Sequence, residues 1–218
     1  MLKEKDFIEL EFTGRVKNGE IFDTNIKEEA KKIDLDINTR PLITCLGQNM
    51  ILPAIDKFLV GKEVNKKYEL DLKPEEAFGA RNRELIKTMP MSVFKEQQVA
   101  PKPGMIFQFD TMMGRISAVS GGRVIVDFNN PLAGKEVSYS LEVKRKVEDI
   151  NEKTKSIINF LFKQDIPFKI EEKKLIIEGE KSIIGFVQMF NEKFKEILDL
   201  ELETKEIKLS NQESASNN

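Results

Sequence analysis

The chain carries few side chains able to make or break covalent bonds. It has no histidine, which removes Ser-His-Asp and Cys-His catalysis and every metal site built on imidazole. Its one cysteine, Cys45, can form neither an intramolecular disulfide nor a cysteine-based zinc cluster. A lone free cysteine reads first as a small buried hydrophobe. No GxxxxGK[ST] loop or GxGxxG fingerprint occurs. Carboxylates and lysines abound, so bond-making chemistry is not formally excluded. An enzyme built from this set would still favour a reaction that needs no strong nucleophile. The residues that attract attention are rings and one carboxylate: Phe12, Phe22-Asp23, Phe78 and Tyr139. Taken singly they are ordinary. Rings on alternating strands are core residues in most β domains, and Asp23 before Thr24-Asn25 reads as a turn residue.

The elements that would position them are legible as patterns. Residues 7–12 alternate as a strand does. Residues 17–20, Lys-Asn-Gly-Glu, form a strong hairpin turn, followed by Ile21-Phe22-Asp23. Residues 41–46 and 68–72 are further strands. Residues 53–59 fit a short helix with Pro53 in its first turn, where a missing N–H is no loss, and Gly61 would stop it. Residues 137–146 alternate again and read as a closing strand.

Between the strand at 68–72 and this closing strand lies a segment of different composition. Residues 85–133 hold five basic residues (Lys87, Lys95, Lys102, Arg115, Arg123) and three acidic ones (Glu96, Asp110, Asp127). That density is well below the 33% charged residues of the whole chain. Five of the eight methionines lie here: Met89, Met91, Met105, Met112 and Met113. Strands are expected at 106–110, 114–119 and 123–128, with a hairpin turn at Ser120-Gly121-Gly122. Such a segment either hides its apolar groups in a core or presents them to partners.

From residue 149 the pattern becomes helical, with Ile157, Ile158, Leu161 and Phe162 on one face. A hairpin follows at 168–170 and 175–177. Ser182 would cap a second helix with apolar residues from Ile183 to Leu198, and residues 201–209 alternate as a last strand. This αββαβ unit is small enough to need docking or dimerisation. Residues 210–218 are polar and expected to be disordered.

The net charge of −2 argues against a dedicated nucleic-acid binder. No apolar run approaches the ~18 residues that cross a bilayer. The first residues lack the apolar core of a signal peptide. No nucleic-acid or membrane partner is therefore expected, and a cytoplasmic setting is.

Two phrases give the rings a context. Residues 74–79 read PEEAFG, and residues 124–135 read VIVDFNNPLAGK. With Gly14, Gly19, Phe22-Asp23, Leu46-Gly47 and Ile51 in this order, the stretch 3–146 resembles the SlyD-type branch of the FKBP-type peptidyl-prolyl isomerases. The resemblance implies an α+β fold, a half-open antiparallel β-sheet around a short helix. Residues 1–84 and 134–148 would form this isomerase domain, interrupted by a β-rich insert-in-flap chaperone domain at 85–133. Residues 149–209 resemble the extra domain of long-chain archaeal relatives.

The same resemblance implies roles. Asp23, Phe12, Phe22, Ile51, Phe78 and Tyr139 would be catalytic, with Leu42, Leu46, Met50 and Ala54 lining the prolyl pocket. Ile51 N–H would grip a substrate carbonyl and Asp23 would orient the rotating one. Met89, Phe94, Met105, Phe107, Phe109, Met112 and Met113 would supply contacts to unfolded chains. Three positions depart from the pattern. Phe78 replaces a tyrosine, Ala54 stands where many members place tryptophan, and Asn130 takes the place of a histidine. No cofactor or metal is expected. The implied function is prolyl cis-trans isomerisation with binding of unfolded, proline-containing polypeptides, and a homodimer through the C-terminal domain is a further expectation. The alternatives are a holdase with little isomerase activity, and an assembly factor for one partner.

Overall fold

A computed structural model describes residues 1–34, 41–96 and 98–206. The larger sheet has the hydrogen-bonded order β2-β1-β9-β4, where β1 is Phe7–Val16, β2 Ile21–Thr24, β4 Lys67–Leu72 and β9 Val137–Lys146. Strand β3 (Leu42–Cys45) pairs with β1 off this path. By compactness the chain divides into two units. One comprises Met1–Phe12, Asn25–Tyr68 and Leu141–Asn218, the other Thr13–Thr24 and Glu69–Ser140. Strands β1, β4 and β9 contribute residues to both. Among the described residues no helix is long and apolar enough to cross a membrane.

In the first unit β1 and β3 run antiparallel, Phe7 opposite Cys45 and Leu10 opposite Leu42. Ile8 and Leu10 are buried on one face of β1 and Phe7 on the other. Helix α1 (Lys27–Lys31) is short and was not foreseen. Helix α2 (Pro53–Leu59) begins on its proline and buries Ile55, Asp56 and Leu59. Gly61 follows it at φ 83°. The buried Asp56 carboxylate accepts from the N–H groups of Gly47 (2.8 Å) and Asn49 (3.0 Å), fixing the loop that leads to Met50 and Ile51.

The C-terminal part of this unit is αββααβ rather than the expected αββαβ. Helix α4 (Ile150–Phe162) is capped by Asp149, which accepts from Glu152 N–H at 2.8 Å. Strands β10 (Phe168–Glu171) and β11 (Lys174–Gly179) form the expected hairpin. The single helix expected after them is two. Helix α5 (Lys181–Gln188) starts after Glu180, so Ser182 lies inside it and caps nothing. The chain then breaks at Met189-Phe190 before α6 (Asn191–Leu198). Strand β12 (Glu201–Glu206) closes the sheet parallel to β11. Residues 207–218, including the expected disordered tail, lie outside the described residues. This domain has no separate core. Ile157, Ile158, Leu175, Ile177, Val187 and Phe194 form one continuous cluster with Phe7, Cys45 and Val147.

In the second unit an antiparallel sheet of order β5-β8-β7-β6 forms from β5 (Ile86–Pro90), β6 (Ile106–Phe109), β7 (Met112–Ser120) and β8 (Arg123–Asp127). Helix α3 (Met91–Glu96) places Phe94 in the middle of its core with Ile116, Val124 and Val126. Strand β5 and helix α3 are additions to what the sequence pattern gave.

Candidate active site

The ring cluster of the second unit is built on the β1–β2 ribbon. Asn18 turns the chain at φ 58°, and the register sets Thr13 opposite Thr24 and Gly14 opposite Asp23. The buried hydroxyls of Thr13 and Thr24 are 3.0 Å apart and lock that register. The ladder shifts between Gly14 and Arg15, a bulge that re-aims the strand end.

Gly14 is required by what lies over it. A Cβ there would fall 2.8 Å from Phe22 Cζ and 2.8 Å from Tyr139 Cε1. The missing side chain lets Phe22 and Tyr139 meet edge to face, with centroids 5.8 Å apart and planes at 85°. Phe22 meets Phe78 in the same way, at 5.6 Å and 88°. Such pairs contribute about 0.5–1.5 kcal/mol each beyond the area they bury. Tyr139 is buried, while Phe22 and Phe78 keep part of their surface open.

Phe78 is held by the turn before it. Glu76 Oε2 accepts from Lys73 N–H at 3.0 Å, and Gly79 N–H donates to Pro74 C=O at 2.6 Å. Gly134 N–H in turn donates to Gly79 C=O at 2.8 Å. The two sequence phrases, PEEAFG and NPLAGK, thus touch through their backbones.

Asp23 sits beside the rings with an open face to solvent. Enough protein surrounds its carboxyl that desolvation raises its pKa above the usual value, against the opposing hydrogen bond from Thr24 backbone. The Tyr139 phenol is pushed up to about 12, first by burial and then by the Asp23 charge. The arrangement is a wall of two part-open rings, Phe22 and Phe78, backed by buried Tyr139, with one carboxylate at its edge. It can bind an apolar ring and bias a nearby dipole; it holds no nucleophile.

The motif at 124–135 also builds a clamp with residues 81–82, where the chain approaches β5 and leaves β8. Asn129 Oδ1 accepts from Asn82 N–H (2.8 Å) and its Nδ2 donates to Asn82 C=O (2.9 Å). Asp127 Oδ1 accepts from Asn129 N–H at 2.9 Å and Nδ2 at 2.7 Å, and Asp127 also pairs with Arg81. Burial works against the charged Asp127, but the Asn129 and Arg81 interactions outweigh it and hold its pKa below the usual carboxylate range. Asn130 Oδ1 accepts from Leu132 N–H at 2.8 Å, closing an Asx turn.

The remaining pocket candidates lie in the first unit. Phe12 and Ile51 are half-buried, as are Leu42, Met50 and Ala54. Leu46 is fully buried and belongs to the core. Met50 turns its sulfur back to accept from Cys45 N–H at 3.3 Å. In the first turn of α2 the buried apolar side chain is Ile55, the neighbour of Ala54, which the sequence did not single out.

Within residues 85–133 the seven residues expected to contact unfolded chains divide by exposure. Met105, Met112 and Met113 are exposed, Met113 to 59%. Phe107, Phe109 and Met89 pack against the core while keeping partial exposure. Phe94 is buried, with Phe107 and Phe109 against it at 6.0 and 5.9 Å. Two exposed apolar residues escaped sequence reasoning, Ile106 on β6 and Ile125 on β8. Strand alternation could have found them once the core face was known.

Comparison with known proteins adds names to this geometry. A family model described as "FKBP-type peptidyl-prolyl cis-trans isomerase" matches residues 1–95, and one described as "FKBP26, IF domain" matches residues 87–132. The chain is 26% identical over 147 residues to the "Short-type peptidyl-prolyl cis-trans isomerase" of Methanocaldococcus jannaschii, covering 66% of this chain and 93% of that protein. It is 36% identical over 111 residues to the "FKBP-type peptidyl-prolyl cis-trans isomerase SlyD" of Haemophilus influenzae, covering 48% of this chain and 56% of the relative. It is 32% identical over 111 residues to the "FKBP-type 16 kDa peptidyl-prolyl cis-trans isomerase" of Escherichia coli, covering 49% of this chain and 74% of the relative.

Proposed function

The chain belongs to the family of FKBP-type peptidyl-prolyl cis-trans isomerases, and from that premise we propose that it turns X-Pro bonds in unfolded polypeptides while its insert holds the client. The chemistry suits a site without a nucleophile. Rotation about a peptide bond faces a barrier of ~18–20 kcal/mol because resonance makes C–N partly double. At X-Pro the two isomers are close in energy yet exchange over tens to hundreds of seconds. The twisted transition state loses amide resonance and its charge separation. An apolar site favours it over water when a few fixed dipoles hold it.

The observation that carries this reading is the Phe22–Phe78–Tyr139 cluster with Asp23 at its edge. Two of its rings are part-open, as a wall for pyrrolidine must be. Asp23 acts electrostatically on the rotating carbonyl and transfers no proton. Phe12 and Ile51 take their roles from the family resemblance, Ile51 N–H as the grip on a substrate carbonyl. A proline-limited refolding assay tests the reading: the intact protein accelerates the slow phase at catalytic concentration, and no acceleration defeats it.

Client binding at residues 85–133 is supported by the exposed Met105, Met112 and Met113, since flexible, polarisable side chains adapt to varied apolar partners. Suppression of aggregation measured with and without residues 85–133 tests this part. A holdase with little catalysis is the second reading, favoured by Phe78, which offers no hydroxyl to a substrate carbonyl. A cytoplasmic setting goes with either reading. A homodimer through the C-terminal domain is supported by Phe186 and Met189, 50% and 76% exposed. Light scattering across concentration tests it.

A further inference from the structure

Apart from the proposed prolyl site, the first unit contains a groove of about 780 Å³ between β3 and α4. That lies within the ~300–1,000 Å³ usual for ligand sites. One wall is a strand edge. Among the described residues β3 pairs only with β1. Cys45 N–H points away from β1, because it donates to Met50 sulfur. Two residues earlier on the same edge, Ile43 turns its N–H and C=O the same way, and Pro41 has no N–H to offer. The opposite wall is α4, through Ser156, Asn159 and Phe160. Leu42, Ile43, Met50 and Phe160 make the groove apolar.

Its rim is cationic. Arg145, Lys155 and Lys163 line it against one acid, Glu152. Arg145 is already occupied by Glu9 and Glu152, at 2.7 and 3.0 Å. Among the described residues Lys155 pairs with Asp165 alone, at 4.0 Å, and Lys163 lies over the Phe160 ring at 4.8 Å. Two weakly engaged ammonium groups therefore flank an unpaired strand edge.

We propose that this groove binds an extended, acidic segment of another polypeptide, added as a strand along β3 with a carboxylate between Lys155 and Lys163. Main-chain bonds to Ile43 give the affinity and the lysines choose the charge. β3 is four residues long, so it takes a segment of comparable length. Two residues expected to line the prolyl pocket, Leu42 and Met50, line this groove, and the proposal assigns them to it; the site needs no proline and stands without the isomerase reading.

The test uses the full chain and a fluorescein-labelled, proline-free peptide, Thr-Val-Glu-Val-Thr-Val-Glu-Gly, followed by anisotropy. The double variant Lys155→Glu/Lys163→Glu binds it roughly tenfold more weakly, since reversing two rim charges acts on specificity. A peptide with lysine in place of both glutamates then binds the variant better than it binds the wild type. Ser156→Trp, which fills the groove without touching the rim charges, also loses binding and keeps isomerase activity on a short peptide. Unchanged binding in both variants overturns the proposal. So does tighter peptide binding after removal of residues 207–218, or after replacement of residues 35–40 by a Gly-Ser linker, because a segment of this chain would then be the occupant. Loss of binding on substituting Met112 and Met113, with both groove variants silent, assigns the peptide to the insert and overturns it as well.

Discussion

Gly14 and Phe22 are in such close approach that a methyl group at position 14 would lie 2.8 Å from the Phe22 ring. The contact ties backbone to aromatic wall. Gly14 pairs with Asp23 across the ribbon while Phe22, its sequence neighbour, folds over it. Gly14→Ala therefore forces the ring aside. Overpacking of this kind costs ~1–3 kcal/mol, and thermal unfolding reads it as a lowered Tm. Isomerase activity on an X-Pro tetrapeptide falls in the same variant, because Phe22 cannot move without disturbing its contacts to Phe78 and Tyr139. Wild-type stability in Gly14→Ala contradicts this packing.

Asp23 gives a pH dependence whose sign follows from its raised pKa. A carboxyl with a higher pKa folded than unfolded favours the folded state while protonated. Its contribution is fully present below the unfolded value, about 3.8, and is lost as pH rises through the folded pKa. Asp23→Asn removes that dependence, so its stability relative to the wild type rises with pH over this window and levels off above it. Activity runs the opposite way in the wild type: the ionised carboxylate orients the carbonyl, so catalysis grows with pH over the same range. Chemical denaturation and kcat/KM measured against pH check the two limbs.

The phenol of Tyr139, pushed up to about 12, gives a spectroscopic readout of the same neighbourhood. Alkaline absorbance titration of Tyr68→Phe, which leaves one tyrosine, shows a single ionisation near 12. In the Asp23→Asn background it moves down, because a neighbouring negative charge no longer opposes phenolate. An unmoved titration contradicts the electrostatic contact between the two groups.

Much of this was legible in the sequence because local chemistry marks it. Pro53 and Gly61 bracket α2, and Asn18-Gly19 sets the ribbon turn. The rings around Phe22 were readable as a set only through their order, since alternation alone cannot separate a wall from a core. The break between α5 and α6 was not legible. Ile183, Phe186, Val187, Phe190, Phe194 and Ile197 keep helical spacing straight across it, and neither Pro nor Gly marks Met189-Phe190. Parallel pairing of β12 with β11 is a long-range choice with no local signal. The shared core of Phe7, Cys45 and the C-terminal domain was invisible for the same reason.

That shared core makes Cys45 a reporter. It is fully buried, and its thiol is pushed up to about 12 by burial and by the Asp56 charge. Ellman's reagent leaves the native protein unlabelled and labels one thiol on unfolding, since thiolate is the reactive form. Deleting residues 149–218 uncovers Phe7 and Cys45, so the shortened chain labels rapidly. Slow labelling of that chain contradicts the continuity of the core.

The Asn82–Asn129 clamp ties together the two ends of the segment from β5 to β8. Asn129→Ala loses the side-chain bonds to Asn82 and Asp127, at a cost of about 1–2 kcal/mol. Its functional consequence is selective: catalysis of unfolded-protein refolding falls further than catalysis on a tetrapeptide, because only the former needs the insert held in place. Equal losses on both substrates contradict that coupling.

The central claim is that an aromatic wall, without a nucleophile, turns the X-Pro bond. Its most direct test is kcat/KM on an X-Pro tetrapeptide for the wild type and for Phe22→Ala, with circular dichroism confirming that the variant is folded. The account predicts robust catalysis by the wild type and a loss of roughly tenfold or more in the variant, since each 1.36 kcal/mol of lost transition-state stabilisation is a factor of ten. A folded Phe22→Ala protein with undiminished kcat/KM contradicts it.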